Sequence, residues 1–474
     1  MEQQIAIQLD QILAGNPKIK LAKPCRVGDG ILTIDENHVK SLEQYFEIGK
    51  EEKEITFFIP ASGSGSRMFD NLFNYLNSDN NISPETFKFV EKLLNRINEF
   101  AFYNKIPRAL KASIKSGDVV IRDLIEFILL NNKGLKLGSV PKGLVPFHRY
   151  GKFIINPFQE HIIQGAKIAG DNTNFHFTID PKFQDEIKRS IQIIREISGI
   201  DFQYFFSEQD QNTHAYAFDK DNQLALDENQ KPIRRPAGHG TLIDNLNAID
   251  SDLIFIKNID NVQHYRKAGV SLSTKRILGG LTLQFQTKVF EIIEALNSNN
   301  NDSLVLVSTL NSDYNLDLSE TQLNDKTFLM DYFNRPIRVC GMVKNEGQPG
   351  GGPFWVSDDK GNLSKQIIEK SQIASDTDQL SISLHATHFN PVELICAVRN
   401  YKGEKFNLKE FVDENQYFLV NKTHEGKEIS YIEKPGLWNG GMFDWLTLFY
   451  EIDSQCFSPV KTVLDLLNPL HLEK

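Results

Sequence analysis

Short apolar segments that end in small or polar residues are the feature that most constrains the fold of this chain. Two of them, ITFFI at 55–59 and LIFI at 253–256, contain no charged residue. Such runs are typical of strands that are buried on both faces, as in a parallel sheet. Helical patterns lie between them, at 83–100 and 181–198. This alternation predicts an α/β fold of the Rossmann-like type, with a mostly parallel central sheet and flanking helices.

The chain of 474 residues is longer than one hydrophobic core usually serves. The pattern predicts a helical N-terminal extension over 1–50 and the α/β domain over 51–300. Beyond it, glycine-rich loops and isolated strands predict an α+β C-terminal domain over 301–474, which closes with a helix at 459–469.

Charge and composition exclude several classes of partner. The net charge of −10 argues against a broad nucleic-acid surface, which needs a basic face, but not against small anions bound by local groups. No apolar run approaches the roughly 20 residues of a membrane helix, and MEQQIAIQLDQ lacks the features of an export signal. Four scattered cysteines match neither a zinc pattern nor a disulfide framework. We therefore expect a cytoplasmic protein that binds small molecules and neither nucleic acid nor membrane; the oligomeric state stays open.

The loop PASGSGSRM at 60–68 follows the first buried strand, at the carboxyl end where open parallel sheets bind ligands. Its glycines permit positive φ and a close approach to a ligand, and Arg67 carries a fork of donors that suits phosphate oxygens. The candidate phosphate-binding residues of the loop are Ser62, Gly63, Ser64, Gly65 and Ser66. The loop matches neither the P-loop nor the GxGxxG fingerprint. A plain turn with a solvated arginine is an equal alternative.

Two other loops carry residues suited to a phosphate or nucleotide. PKGLVPF at 141–147 presents Lys142 between prolines, which restrict the backbone. PAGHG at 236–240 precedes a short helix, so its backbone can approach a ligand near the helix N-terminus. The residues concerned are Gly238, His239 and Gly240. Taken singly, a solvated loop lysine and a surface histidine are the more common fates.

KNIDN at 257–261 follows the strand LIFI and places Asp260 at another carboxyl end. Its carboxylate, with the amides of Asn258 and Asn261 beside it, offers hard oxygen ligands to Mg²⁺. An aspartate in a helix cap or turn is the common alternative.

Taken in order, these four motifs resemble the nucleotide-diphospho-sugar transferase superfamily and, within it, the UDP-sugar pyrophosphorylases. The LAGGxGTRLG loop of that family corresponds here to PASGSGSRMF, its PKPL-type lysine to PKGL, its PPGHGD to PAGHGT and its NxDNLG to NIDNVQ. The likeness covers about residues 55–270. Nearly the whole chain, including the segments 335–355 and 433–445, also resembles a bacterial family described as a domain of unknown function (4301).

The resemblance implies that a sugar 1-phosphate attacks the α-phosphorus of a nucleoside triphosphate, UTP being favoured, and that pyrophosphate leaves. It implies that Arg67 binds the β- and γ-phosphates, that Lys142 binds the phosphate of the second substrate or the product, and that Asp260 holds Mg²⁺. The residues that it assigns to the base, ribose or sugar are Gly238, His239, Gly240, Asn258 and Asn261.

A second candidate loop is MVKNEGQPGGGPF at 342–354, in which Lys344 or Glu346 completes the phosphate or sugar site; a mobile surface loop is an equal interpretation. Two other functions stay open. No second metal-ligand aspartate matches the family pattern downstream, and Thr241 stands where pyrophosphorylases often have an acidic residue; the missing aspartate mainly fits a protein that binds nucleotide sugars without turnover. A glycosyltransferase of related fold places an Asp-x-Asp motif after a strand, whereas Asp250-Ser251-Asp252 precedes LIFI, in a predicted helix-to-strand turn.

Overall fold

Three separated segments of the chain form each of the two units of the structure, a computed structural model. Unit 1 contains Met1–Thr56, Gln209–Ile256 and Arg276–Ser454, and unit 2 contains Phe57–Glu208, Lys257–Lys275 and Gln455–Lys474. The structure describes residues 2–33, 35–78, 81–130, 134–170, 173–209, 213–298, 302–347, 350–358, 360–424 and 426–473. The domain boundaries near residues 50 and 300 stay a prediction about the linear sequence.

The strands of unit 2 start from the first apolar run. Ile55–Pro60, whose first two residues belong to unit 1, is followed across the sheet by Thr173–Thr178 and then Phe202–Ser207. The last two strands are parallel. The α-helices of unit 2 are Asp70–Asn77, Pro84–Asn95, Arg108–Ser116, Ile121–Leu129, Pro157–Ala169 and Gln184–Ser198, and a short hairpin joins His148–Tyr150 to Phe153–Ile155.

Aromatic packing and a tightly placed helix cover this sheet. The rings of Phe57 and Phe175 on neighbouring strands stack at 5.4 Å. The helix Pro157–Ala169 begins at a capping box in which Asn156 and Gln159 satisfy each other's backbone N–H groups. Gly165 of this helix lies so close that an added Cβ would be 2.5 Å from the ring of Phe175. The helix can lie at this depth only because residue 165 has no side chain.

Unit 1 also combines helices with a mainly parallel sheet. Its strands run in the order Arg26–Val27, Gly30–Leu32, Leu446–Glu451, Ile337–Lys344, Glu393–Ala397 and Leu253–Lys257, the last of which ends in unit 2. The first four are parallel to one another, and Glu393–Ala397 is antiparallel to Ile337–Lys344. Its α-helices are Glu2–Ala14, Glu36–Gly49, Leu242–Ala248, Ser303–Asp313, Glu320–Leu323, Lys326–Phe333 and Thr377–Leu384, and most of Gly269–Asn297.

Smaller antiparallel groups of strands complete unit 1. One contains Leu21–Pro24, Gly352–Ser357 and Leu363–Ile368, and another contains Phe218–Asp219, Lys427–Glu433 and Phe418–His424. The remaining pairs are Ala215–Tyr216 with Arg234–Arg235, and His388–Phe389 with Ile337–Lys344.

The α/β class and the mostly parallel sheet predicted from the sequence are confirmed. The helix predicted at 83–100 begins, as expected, after Ser83, which caps Thr86 N–H, but it ends at Asn95. The helix predicted at 459–469 is wrong in type: one short 3₁₀ helix, Val463–Leu467, forms there. In the described part of the chain, no helix is long and apolar enough to cross a bilayer.

We predict that Gly165→Val destabilises unit 2 by about 1–3 kcal/mol, because the branched side chain must displace Phe175 in a filled core. Ala166→Val, at the neighbouring half-buried position of the same helix, introduces the same side chain with a larger helix-propensity cost and serves as the control. Urea denaturation followed by circular dichroism measures both, and equal losses in the two variants would contradict the packing argument.

Candidate functional site

A cavity of about 370 Å³ lies in unit 2, where the strand Ile55–Pro60 ends and just after Leu253–Lys257. Its lining residues are Pro60, Gly63, Ser64, Arg67, Lys142, Asn258, Ile259, Asp260 and Lys461. Three of these side chains are cationic and one is a carboxylate. The cavity is therefore suited to an anionic ligand, although the chain as a whole carries a charge of −10.

Size alone does not select this cavity. A larger one, of about 450 Å³, lies in unit 1 beside Leu42 and Leu281. Its lysine, Lys288, is paired at 3.4 Å with Asp313 in the same lining. Compared with that larger cavity, the smaller one is lined by more positive than negative side chains.

The predicted phosphate loop packs directly against the second predicted loop. Gly65 N–H donates to Val140 O at 3.2 Å, and Lys142 N–H donates to Gly63 O at 3.4 Å. A Cβ at residue 65 would lie 2.7 Å from Val140 O, which explains the glycine. Its φ is −77°, so close approach and not the expected positive φ is what requires glycine here. Because these hydrogen bonds hold the two loops together, Ser64 of the first loop and Lys142 of the second line the same cavity.

The serines of the loop are partly bonded to one another. Ser64 Oγ lies 2.9 Å from Ser66 Oγ and accepts a hydrogen bond from Ser66 N–H at 3.2 Å. The following residues form the 3₁₀ turn Ser66–Phe69, on which Arg67 is exposed while Met68 and Phe69 are buried. This turn fixes the backbone of Arg67 and leaves its guanidinium at the cavity.

One carboxylate oxygen organises the other side of the cavity. Asp260 Oδ2 lies 2.9 Å from Lys142 Nζ and 3.1 Å from Lys461 Nζ. Lys142 Nζ also donates to Val460 O at 2.9 Å. Burial alone would raise the pKa of Asp260, but the charges and hydrogen bonds of the two lysines outweigh burial and lower that pKa below its ordinary value. Asp260 is thus an anion held between two cations.

The charges and ligand atoms around Asp260 do not fit a resident divalent cation. Two ammonium groups already neutralise its carboxylate, and they would repel a dication at the same place. In the described part of the chain, no group of three histidine, cysteine, aspartate or glutamate side chains is arranged to hold a metal ion. The binding of Mg²⁺ at Asp260, which the sequence predicts, is thus not supported by this arrangement and stays a prediction.

The two asparagines beside Asp260 occupy different places. Asn258 lines the cavity. Asn261 is 1 % exposed, and its Oδ1 accepts from Ser458 N–H at 3.0 Å. The structure therefore gives Asn261 a role in holding the C-terminal segment and presents almost none of it to a ligand.

Gly238, His239 and Gly240 lie in unit 1, where they pack against 433–441. Gly238 has φ +72°, and a Cβ at Gly240 would be 2.1 Å from Pro435 O. The His239 ring stacks on Trp438 at 4.4 Å, and its Nδ1 accepts from Leu437 N–H at 3.0 Å. Burial lowers the pKa of His239 to about 4, so this ring is neutral at pH 7. The glycines of this motif serve close packing within unit 1.

The second candidate loop, Lys344 and Glu346, also belongs to unit 1. Lys344 Nζ is 3.5 Å from Glu451 Oε1, and its side chain is 72 % exposed. Glu346 is exposed as well. Residues 348 and 349 of this loop lie outside the described residues.

Lys461 is the cavity residue that sequence reasoning missed. It lies in the C-terminal segment, 455–474, for which the sequence predicted a helix and no role in the site. Its backbone N–H donates to Asp465 Oδ2 at 2.8 Å, and Val460 N–H donates to Asp260 O at 3.1 Å. No local motif around SPVKT signals a ligand, so only the tertiary structure brings Lys461 to the cavity.

Buried histidines anchor the end of the same segment. His471 Nε2 lies 2.9 Å from Ser458 O, which only accepts, so this nitrogen carries a proton. In neutral His471, Nδ1 then accepts from His148 Nε2–H at 2.9 Å, and His148 Nδ1 lies 2.7 Å from Glu160 Oε2. The chain of bonds requires one proton between His148 Nδ1 and Glu160 Oε2. Burial favours this proton on Glu160, because burial raises the pKa of Glu160 to about 7 and lowers that of His148 to about 3.

Comparison with known proteins supports both the family and the fold. The sequence model of the family described as Domain of unknown function (DUF4301) matches residues 1–472. No curated protein sequence matches.

Among solved structures, the uridine diphosphate N-acetylglucosamine pyrophosphorylase from Trypanosoma brucei is similar, with a TM-score of 0.50 and 12% identity over 98% of this chain and 74% of that one. UDP-glucose phosphorylase from Trypanosoma brucei has a TM-score of 0.45 and 13% identity over the same shares of the two chains. At such identities the likeness to the first of these shows the fold alone, that of the UDP-sugar pyrophosphorylases, and it confirms the predicted resemblance.

We predict that Lys142→Ala lowers the free energy of unfolding by about 1–3 kcal/mol, because it removes the donor to Val460 O and one of two cations at a buried carboxylate. Lys136→Ala is the matched control: its pair with Glu186 at 2.7 Å is more exposed and contributes at most about 1 kcal/mol. Hydrogen exchange in peptides of 455–474 should accelerate in the first variant and not in the second.

We predict that unit 2 loses stability as pH falls below about 6.5. Burial lowers the pKa of His148, His161 and His471 to about 3 from 6.5. Such groups stabilise the fold above pH 6.5, and that contribution is lost as pH falls toward 3. Glu160, with its raised pKa, acts oppositely between pH 4.5 and 7, but one group does not offset three. We expect a loss of about 2 kcal/mol per pH unit below pH 6.

Hydrogen exchange of peptides within 157–169 and 455–473 at pH 7, 6 and 5, corrected for intrinsic rates, measures this loss. Equal protection factors at pH 7 and pH 5 would contradict it.

Proposed function

The chain belongs to the DUF4301 family, and we propose that it transfers a nucleotidyl group from a nucleoside triphosphate, UTP in the first instance, to a sugar 1-phosphate and releases pyrophosphate. The observation that carries the proposal is the cationic cavity of unit 2, built from the loop after Ile55–Pro60 in a chain with the pyrophosphorylase fold. The solved protein of that fold is a uridine diphosphate N-acetylglucosamine pyrophosphorylase, which makes a UDP-sugar the first product to test.

The chemistry of this reaction requires positively charged groups of the kind that line this cavity. An oxygen of the sugar phosphate forms a new bond to the α-phosphorus of the triphosphate. The bond between that phosphorus and the oxygen that bridges the α- and β-phosphates breaks. The electron pair leaves with pyrophosphate, so the protein must neutralise charge and hold both phosphates in line, and it needs no nucleophile of its own. Arg67 supplies forked donors to the leaving diphosphate, and Lys142 adds a fixed positive charge. Asp260 acts here by holding the lysine.

We assign the base and ribose to Gly238, His239 and Gly240 as part of this proposal, and the sugar hydroxyls to Asn258. The rings of His239 and Trp438 in unit 1 stack at 4.4 Å, and an aromatic surface of this kind suits a flat ligand. Lys344 or Glu346 remains a candidate to complete the phosphate or sugar site.

Release of pyrophosphate from UTP with a panel of sugar 1-phosphates tests the proposal. The panel includes glucose, galactose, N-acetylglucosamine and mannose 1-phosphates, and ATP, CTP, GTP and dTTP replace UTP in parallel, with and without Mg²⁺. Pyrophosphate release that requires both a nucleoside triphosphate and a sugar 1-phosphate would support the proposed activity. Tight binding of a UDP-sugar without release for any pair would leave a binding protein of the same fold instead.

We predict that Arg67→Ala weakens triphosphate binding, or the transition-state stabilisation measured by kcat/KM, by about 2–3 kcal/mol, because charge-assisted phosphate contacts are lost. The urea midpoint should stay unchanged. Arg108→Ala is the control: this arginine is exposed on the helix Arg108–Ser116 of the same unit and does not line the cavity. Wild-type binding in Arg67→Ala would remove the opening loop from the site.

A further inference from the structure

The two lysines on Asp260 differ in what holds them. Lys142 Nζ has two partners, Asp260 Oδ2 and Val460 O, and its side chain is 16% exposed. The contact recorded for Lys461 Nζ is Asp260 Oδ2 at 3.1 Å, and its side chain is 62% exposed. Moving Lys142 toward a ligand breaks two hydrogen bonds and takes a donor from Val460 O, whereas moving Lys461 breaks one and leaves the buried carboxylate of Asp260 paired with Lys142.

We propose that Lys461 is the mobile phosphate-binding cation of this cavity: its ammonium leaves Asp260 for a phosphate oxygen of an incoming polyphosphate, while Lys142 stays on Asp260 and keeps the carboxylate paired. Lys461 thereby supplies positive charge that a divalent cation would otherwise bring. The inference deepens the proposed function and rests on it for the identity of the natural ligand, but the binding of a polyphosphate is tested separately below.

The backbone beneath Lys461 is held firmly, so only its side chain has to move. Asp465 Oδ2 accepts from the N–H groups of both Lys461 and Thr462, at 2.8 and 2.6 Å. Behind it, Val463, Leu466 and Leu467 are buried in the core of unit 2. Because the Cα of Lys461 is already in place, binding a ligand costs the rotamer freedom of the side chain but no further backbone freedom.

Electrostatics favour the exchange of partners. In the described structure Asp260 has two cations for one negative charge, and its burial makes an unpaired state costly. If Lys461 moves to a phosphate, Asp260 keeps Lys142 at 2.9 Å and no buried charge is left alone. The cavity then presents Arg67 and Lys461 to the ligand, two cations that no other carboxylate of its lining neutralises. A ligand with several negative charges gains from both at once.

Binding of inorganic tripolyphosphate and of pyrophosphate, measured by isothermal titration calorimetry in EDTA, tests this proposal with the full-length protein. These probes carry the phosphate chemistry without a base or a sugar. We expect the wild type to bind without a divalent cation and Lys461→Ala to bind at least ten-fold more weakly. Lys461→Arg should recover most of the affinity, because it restores a cation of similar reach.

Two controls separate ligand binding from general effects of charge and stability. Lys88→Ala removes one positive charge at an exposed position of the helix Pro84–Asn95 and should bind as the wild type does. Lys461→Ala should keep the wild-type urea midpoint and hydrogen-exchange protection of 455–474, since Lys142 still pairs with the carboxylate of Asp260 in that variant.

Wild-type affinity in Lys461→Ala, no binding of either probe to the wild type, or binding that vanishes in EDTA would each overturn the proposal. Lys461-dependent binding without pyrophosphate release from any triphosphate and sugar phosphate would retain it, and the proposed transferase activity alone would fail.

Discussion

A single atom, Oδ2 of Asp260, joins three parts of unit 2 that are distant in sequence. It accepts from Lys142 in the second loop and from Lys461 in the C-terminal segment, and its own residue follows the strand Leu253–Lys257. Because the carboxylate is buried, it must be paired, and the two lysines that pair with it precede and follow Asp260 by 118 and 201 residues in the sequence. The cavity acquires its cationic lining as a consequence of satisfying this one anion.

The C-terminal segment is held to this arrangement by a second buried network, one that depends on a proton. His471 bonds to His148, which bonds to Glu160, and the directions of these bonds require one proton between His148 and the carboxyl group. Ser458 N–H is held in addition by Asn261. The segment that carries Lys461 is therefore fixed on both sides of the residue by buried hydrogen bonds, and apolar contacts of Val463 and Leu467 complete its attachment.

The sequence predicted those features that are local. Apolar runs predicted the strands at 55–59 and 253–256, and Ser83 predicted where a helix begins. The loop residues Arg67, Lys142 and Asp260, which the sequence singled out, line one cavity. It did not predict the long-range pairings. Nothing near residue 461 distinguishes its lysine from a solvated one, and the packing partner of PAGHG, the segment 433–441, lies almost 200 residues away. Such contacts depend on how segments meet in three dimensions, and a linear pattern carries no signal for them.

The glycines of the two motifs show why a matched pattern does not by itself locate a ligand. Gly65 is needed because Val140 O would collide with a side chain, and Gly240 because Pro435 O would. Both requirements arise from backbone packing within one unit. At Gly63, by contrast, an added Cβ would meet no described atom within 4 Å, although this residue lines the cavity. The space beside Gly63 is therefore open, and Arg67 lines the same cavity.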